Sequence, residues 1–494
     1  MPILNDLLFS QSTQSQMAGE HTSVGAAPRL TSYPSNEPPL SRLTRRRTMT
    51  HTTSQLSRRQ MLKTMLAAGA APAFLRNLRA APPSEKIRHA SFGAAGMARA
   101  DIDQLTSHPL CELVCVAEVD DSRAAQLLQK YPQVKVYTDW RELLDREAAQ
   151  LHAVNVSTPD HMHAPIAMAC MQRGLAVYCQ KPLTHTVYEA RRLAEVARDK
   201  GCVTQMGIQI HSHTAYRTAV AWIQQGVIGP VHTVHSWSNK KWGDPTPRPD
   251  RSDPVPAGFH WNLWLGVAAE RPYIGEGYYH PGNWRKRLDF GTGTFGDMGC
   301  HILDPVCQAL ALTAPRRVKS TGSVPNAWNW ANDVRVEYSF PSSPFTAPEG
   351  LTLHWYDGDQ RPAREQTAPW LEEQPLPDQG SLFIGSRGAL LLPHIAMPIL
   401  LPRGEFAQRP RTPVEGRHHW HDFLNAVRGE GRTTAGFDYA GPLTEWVLLG
   451  GIASFFPEQE LIWDASSLQF PKHPAANARL RRTYRPGWEV PGLT

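Results

Sequence analysis

Ile87-Arg88-His89-Ala90-Ser91-Phe92-Gly93-Ala94-Ala95-Gly96-Met97-Ala98 is the stretch whose reading decides the fold. A short strand runs straight into a turn of small residues, and helical periodicity follows through Asp101, Ile102 and Leu105. Strand, tight turn and helix in that order open a dinucleotide-binding βαβ unit. Small side chains are needed in the turn so that backbone N–H groups can approach a pyrophosphate at the helix N-terminus. Gly93 stands at the first glycine of the fingerprint, with Ala95 and Ala98 at the second and third. Gly93, Ala95, Gly96 and Met97 are therefore the candidate phosphate contacts. The next strand, residues 113–117, ends in Glu118-Val119-Asp120-Asp121. Glu118 and Asp120 can accept hydrogen bonds from ribose hydroxyls and would repel a 2′-phosphate, which favours NAD over NADP.

Working outward, the pattern alternates. Helices are expected over 122–130, 140–146, 165–174 and 188–200, and strands over 134–137, 152–156, 176–179 and 203–207. Such alternation predicts a doubly wound parallel sheet of α/β type, whose ligands sit at the C-terminal strand ends. Two of those ends are Ser157-Thr158-Pro159-Asp160-His161 and Gln180-Lys181-Pro182. Ser157, Thr158, Pro159, His161, Gln180 and Lys181 join the candidate cofactor contacts.

A second stretch carries chemistry. Gly296-Asp297-Met298-Gly299-Cys300-His301 follows a glycine-rich turn and opens an apolar helical run. Asp297 and His301 are four residues apart and share a helix face. A carboxylate beside an imidazole orients the ring and can poise it as a general base. Hydride transfer from a secondary alcohol needs such a base and a donor that steadies the developing alkoxide. His301 backed by Asp297 suits the first task and Lys181 the second, so Lys181, Asp297 and His301 are the catalytic candidates.

The Gly93 turn, Ser157-Thr158-Pro159, Lys181-Pro182 and Asp297-x-x-x-His301 occur in the order and spacing that resembles the glucose–fructose oxidoreductase, inositol dehydrogenase and rhizopine-catabolism family (Gfo/Idh/MocA). The resemblance runs from about residue 87 to the C-terminus. It implies an N-terminal Rossmann domain, then a C-terminal α/β domain with an open-faced mixed, largely antiparallel sheet that supports a homodimer or homotetramer. It implies NAD as cofactor and a saccharide or cyclitol substrate. Lys181 would be the family's Glu-Lys-Pro lysine, but Gln180 replaces the glutamate. The expected division is 1–84 for tail and signal, 85–207 for the NAD-binding domain and 208–494 for the substrate-binding and oligomerisation domain.

In the second domain, strands are expected over 231–237, 335–340, 351–355, 382–385 and 389–392, and helices over 216–225, 416–427 and 443–454. Residues 239–290 form a long insertion dense in Pro, Trp, Tyr and Gly. Long loops in compact domains are usually functional. Aromatic rings suit the C–H faces of sugars, and interleaved polar groups suit their hydroxyls. Tyr279, His280, Trp284 and Arg285 are the candidate substrate contacts. The spacing of His260, His280 and His301 shows no ligand signature, so no metal is expected. His418-His419-Trp420-His421 begins a helix, where packing and solvent account for its histidines.

The whole chain has 494 residues, 41% hydrophobic and 19% charged, which fits a globular protein of two domains plus a tail. Its net charge of +6 is inflated by Arg45, Arg46, Arg47, Arg58 and Arg59, so no nucleic-acid partner follows from it. Seven cysteines without a Cys-x-x-Cys pair suggest neither a disulfide framework nor structural zinc. Residues 1–56 read as disordered. Arg58-Arg59 before a short alanine-rich run resembles a twin-arginine export signal, with the export machinery as partner and a periplasmic or otherwise exported location. That run is too short for a permanent membrane anchor. Three functions remain open: an NAD-dependent oxidoreductase, a redox-neutral NAD-dependent glycosidase, isomerase or epimerase, and a non-catalytic NAD or sugar sensor.

Overall fold

Strand β1 (Ile87–Phe92) is the centre of a six-stranded parallel sheet in the computed structural model, which describes residues 86–371, 375–407 and 411–494. The tail and the arginine pair lie outside these residues. The other strands are β2 (Cys111–Ala117), β3 (Lys135–Tyr137), β4 (Ala153–Val156), β5 (Ala176–Gln180) and β6 (Thr204–Gly207), and the order is β3-β2-β1-β4-β5-β6. Every pairing is parallel. All residues of β4 and β5 are buried, as expected of strands covered on both faces. The covering helices are α1 (Met97–Thr106), α2 (Asp121–Leu128), α3 (Trp140–Glu147), α4 (His163–Gln172) and α5 (Val187–Lys200). Helix α5 shows why boundaries fall where they do. Thr186 and Glu189 form a reciprocal capping box at its start, and Gly201 turns left-handed at its end.

After α6 (Thr214–Gln224), the chain enters an eight-stranded mixed sheet. Its strands are β7 (Val231–Ser238), β8 (Arg317–Gly322), β9 (Val334–Phe340), β10 (Leu351–Asp357), β11 (Gln379–Gly385), β12 (Gly388–Pro393), β13 (Ile399–Leu401) and β14 (Glu460–Ile462). The order is β13-β12-β11-β7-β10-β9-β8-β14, and only β7–β10 is parallel. Sequence periodicity misses β8, β13 and β14, which are edge or near-edge strands bearing charged or short apolar segments.

One face of this sheet packs under α7 (Gly293–Leu310) and, later in the chain, α10 (Phe437–Ala453). On the other face α8 (Arg364–Leu371) packs near Trp237, Leu382 and Leu391. Arg335 and Glu337 of β9 stay exposed there, so that half of the sheet is open. Helix α9 (His419–Val427) returns to the first domain, where His419 is buried between Ser212 Oγ and the Met206 carbonyl. The C-terminal tail also ties back: Leu480 accepts from Tyr188 N, and Tyr484 donates to Glu189. Among the described residues, no helix is long and apolar enough to cross a membrane.

Candidate active site

The C-terminal ends of β1, β2, β4 and β5 open into one cleft of about 930 Å³, measured with its open mouth. Gly93, Ala95, Met97, Glu118, Ser157, Thr158, Pro159, Gln180 and Lys181 line it. Gly93 has φ +102°, and a Cβ there would stand 2.8 Å from the Ser157 carbonyl and 2.9 Å from Ala98 Cβ. Only glycine allows the β1 and β4 ends to approach this closely. Gly96 caps α1 with φ +60° and no side-chain cap, which leaves the first N–H groups of the helix for a ligand. A glycine cradle beside an uncapped helix start fits the pyrophosphate of a dinucleotide.

The acidic end of β2 is more occupied than its sequence suggests. Glu118 lines the cleft, but its carboxylate accepts from Ala94 N (2.9 Å), Val119 N (2.9 Å) and Asp120 N (3.2 Å). Burial pushes its carboxyl up, against those backbone bonds. Asp120 caps α2 through Ser122 and pairs with Arg123 at 3.3 Å and His280 at 3.1 Å. Arg123 itself lines the cleft. His161 turns away from it: the ring is fully buried, hydrogen-bonded to the Trp264 carbonyl and edge-on to Phe290.

Gln180 has a physical reason to differ from the family glutamate. Its amide donates to both oxygens of buried Asp101, at 3.1 and 2.8 Å. Asp101 also accepts from Ser157 Oγ and Trp420 Nε1, and burial pushes its carboxyl up to about 6. A glutamate at 180 would set two carboxylates against each other.

At the other end of the cleft, Lys181 Nζ donates to Asp297 Oδ1 (2.7 Å) and to the Asp297 carbonyl (2.8 Å). Arg285 Nε reaches the same Oδ1 at 3.2 Å, and its guanidinium lies over Trp284 and Trp242. The Lys181 and Asp297 side chains are only 10% and 14% exposed. Burial works to raise the Asp297 carboxyl, but Lys181 and Arg285 outweigh it and hold it well below the usual range.

The expected Asp297–His301 pairing is therefore corrected. The two do share a face of α7, yet both cations claim the carboxylate first, and no hydrogen bond joins it to His301 among the described residues. The His301 Nδ1 is buried without a partner. Burial, with Lys181 and His394 nearby, holds the ring well below its ordinary value, so it is neutral; Asp297 opposes this only through space. Pro305 on the same helix has no N–H to return to the His301 carbonyl.

The insertion divides its expected contacts. Trp284, Arg285 and His280 line the cleft, but His280 belongs to the β2 end through Asp120. Tyr279 is 1% exposed, packed among Trp261, Trp264, Tyr278 and Phe290, and does not line the cleft. The sequence reading missed Asp160. It lines the cleft at 4% exposure and accepts from Thr292 Oγ1 at 2.7 Å. Burial pushes its carboxyl up to about 7 despite Thr292, Arg285 and Lys181. Its place directly after Pro159 at a strand end was the available signal. No group of three or more His, Cys, Asp or Glu side chains is arranged to hold a metal among the described residues.

Comparison with known proteins agrees with this fold. Residues 87–208 match the family model described as "Oxidoreductase family, NAD-binding Rossmann fold", and residues 217–329 match "Oxidoreductase family, C-terminal alpha/beta domain". Levoglucosan dehydrogenase of Pseudarthrobacter phenanthrenivorans is 24% identical over 189 residues, 38% of this chain and 40% of that protein. Inositol 2-dehydrogenase of Rubrobacter xylanophilus is 28% identical over 159 residues, 31% of this chain and 44% of that protein. The chain thus spans less than half the length of these curated relatives. Among solved structures, levoglucosan dehydrogenase in complex with NADH and L-sorbose aligns with a TM-score of 0.54 at 17% identity, over 76% of this chain and 99% of that one. The WlbA dehydrogenase from Bordetella pertussis in complex with NADH and UDP-GlcNAcA aligns with a TM-score of 0.56 at 13% identity, over 77% and 99%. At such identities these likenesses show the fold. Residues 87–208 and 217–329 are thus similar to the NAD-binding Rossmann domain and the C-terminal α/β domain of the Gfo/Idh/MocA oxidoreductase family.

Proposed function

We propose that the protein transfers hydride between a tightly held NAD and a ring hydroxyl of a saccharide or cyclitol. The observation that carries this reading is that Lys181 and Arg285, both bound to the Asp297 carboxylate, line the same cleft as Gly93. Gly93, the start of α1 and Ser157 to Pro159 would hold the dinucleotide; when bound, its nicotinamide supplies the hydride acceptor or donor. Lys181 gives two of its three N–H groups to Asp297, which leaves one for a substrate oxygen and for the charge that develops there. Asp297 stays ionised and holds the Lys181 side chain in place. His301, a neutral imidazole, takes the hydroxyl proton, and Asp297 steadies the resulting cation through space. Arg285, its guanidinium stacked on Trp284, offers donors for the hydroxyls of a sugar ring.

One observation favours a second reading. Asp160 opens on the cleft and retains a proton close to neutral pH. Such a carboxyl suits proton donation to a leaving group after oxidation has acidified the neighbouring C–H, as a redox-neutral glycosidase or epimerase requires. A purely sensing role needs neither Lys181 nor a proton-bearing Asp160. Reduced-nicotinamide absorbance of the purified protein, followed as saccharides and cyclitols are added with and without free NAD, tests these readings. Net accumulation supports the oxidoreductase, a transient signal with altered sugar product supports the redox-neutral enzyme, and no response to any sugar counts against both.

Arg58-Arg59 supports export by the twin-arginine machinery, with NAD carried through in the folded protein. The open half of the second sheet suits a homodimer or homotetramer. Fractionation of cells and light scattering of the purified protein check these two points.

A further inference from the structure

The aromatic insertion does something that its composition alone does not announce. Residues 258–260 run antiparallel to the end of β2: Asp121 N donates to the Gly258 carbonyl, His260 N donates to the Val119 carbonyl, both at 2.9 Å, and Asp120 bridges Phe259. The strand end that carries Glu118 therefore has a backbone partner from the second domain. Side chains repeat the attachment. His280 Nε2 lies 3.1 Å from Asp120 Oδ2, with its ring stacked on Phe259, and His260 lies 3.3 Å from Asp121.

This segment is not a loose loop. Phe259, Trp264, Tyr279, Trp284 and Phe290 form a buried cluster of their own. Two hydrogen bonds at His161 anchor that cluster to the strand-end turn after β4: its N–H donates to the Phe290 carbonyl, and its ring to the Trp264 carbonyl. Trp264, His280, Pro281 and Trp284 then line the same cleft as Gly93, Glu118 and Arg123. A dinucleotide seated on the Gly93 turn would therefore share the cleft with these side chains.

We propose that residues 258–285 are a preformed roof that binds the covered face of NAD(H) and controls its release. The cofactor leaves only when the 258–260 edge detaches from 119–121. The inference rests on the reading of this cleft as the NAD site, and it gives that reading a physical source for a retained cofactor. Closure of a site by a fixed wall acts chiefly on the off-rate.

The test locks the roof. A Cβ on Gly258 would stand 3.2 Å from Asp121 Cβ, close to the roughly 3.5–4.5 Å of a disulfide. The full-length D121C/G258C protein is loaded with NADH while reduced, then oxidised, and bound-NADH fluorescence is chased with excess NAD. Release should be at least about tenfold slower when oxidised than when the same sample is reduced again. Gly258 has φ +76°, so the cysteine pair is strained. His280→Ala is therefore the independent variant, and it should release NADH several-fold faster than wild type at an unchanged unfolding midpoint. An unchanged release rate in a verified cross-link, or in His280→Ala, overturns the roof. Wild-type protein that binds no NADH overturns the cofactor reading as well, and that outcome is separate from the first.

Discussion

The two ends of the cleft use charge in opposite ways. At the β2 end, Glu118 and Asp120 are answered at once by backbone N–H groups, a helix start, Arg123 and His280. Every charge there is committed to fixing the backbone and the roof. At the β5 end, Lys181 and Arg285 share one carboxylate oxygen, Asp160 retains a proton, and His301, outside the residues that line the cleft, keeps a neutral ring without a partner for Nδ1. Asp160 and His301 are pushed from their ordinary protonation states with few partners, whereas the Glu118 carboxyl, also pushed up by burial, is met by three backbone N–H groups. On the proposed function, the same cleft would be half clamp and half reaction chamber.

The largest effect should come from breaking the reactive end. Lys181→Ala removes a donor that holds Asp297 through both side chain and backbone, and kcat should fall about 10²–10³-fold, as when an oxyanion donor is lost. His301→Ala should cost at least about a hundredfold, the low end for a general base. Steady-state rates on a confirmed substrate, with NADH affinity as control, measure both. Near-normal turnover in either variant removes that residue from the reaction.

The contrast also explains what was legible in the sequence. The β2-end strand, the Gly93 turn and Lys181 were readable because local period and strand-end position fix them within a few residues. The Asp297–His301 pairing was misjudged because spacing on one helix reports a shared face, while Lys181, 116 residues away, decides who binds the carboxylate. His280 was assigned to substrate for the same reason: its Asp120 partner is 160 residues distant. Aromatic content marked the insertion as functional but carried no signal of which wall it would build.

Asp160 offers a test of the chamber through pH. Its folded carboxyl titrates at about 7, so the protonated form dominates below that and is lost as pH rises through it. If Asp160 donates a proton in turnover, kcat should fall as pH rises through about 7, and Asp160→Asn should abolish that limb. An identical pH–rate profile in Asp160→Asn would leave Asp160 outside the mechanism.

A smaller effect probes the link between the two ends. Gln180→Glu should destabilise the protein by about 1–3 kcal/mol, the range for an unsatisfied buried polar group, because the new carboxylate meets Asp101. The sign with pH follows from Asp101, whose carboxyl is raised from 3.8 to about 6 in the folded state. Between those values the folded protein holds the extra proton, so stability falls as pH rises through the window. The variant should fall more steeply than wild type and approach it at the acid side. Urea midpoints measured across that range check both the size and the slope.

The smallest effect sharpens the clamp end. The Glu118 carboxylate borders the cleft beside Ala94, where a ribose following the pyrophosphate would lie, and a 2′-phosphate would meet its charge. Asp120 adds less than its position suggests, since Arg123 and His280 already answer it. Arg123 also lines the cleft and would attract a 2′-phosphate, which sets the two residues against each other. Glu118 is the more buried of the two and its repulsion is the less screened, so NAD should bind more tightly than NADP by about tenfold rather than by orders of magnitude. Glu118→Ser should close that gap and Arg123→Ala should widen it, both read as dissociation constants by fluorescence titration. Equal binding of the two cofactors by the wild type would mean that Arg123, not Glu118, governs this end of the cleft.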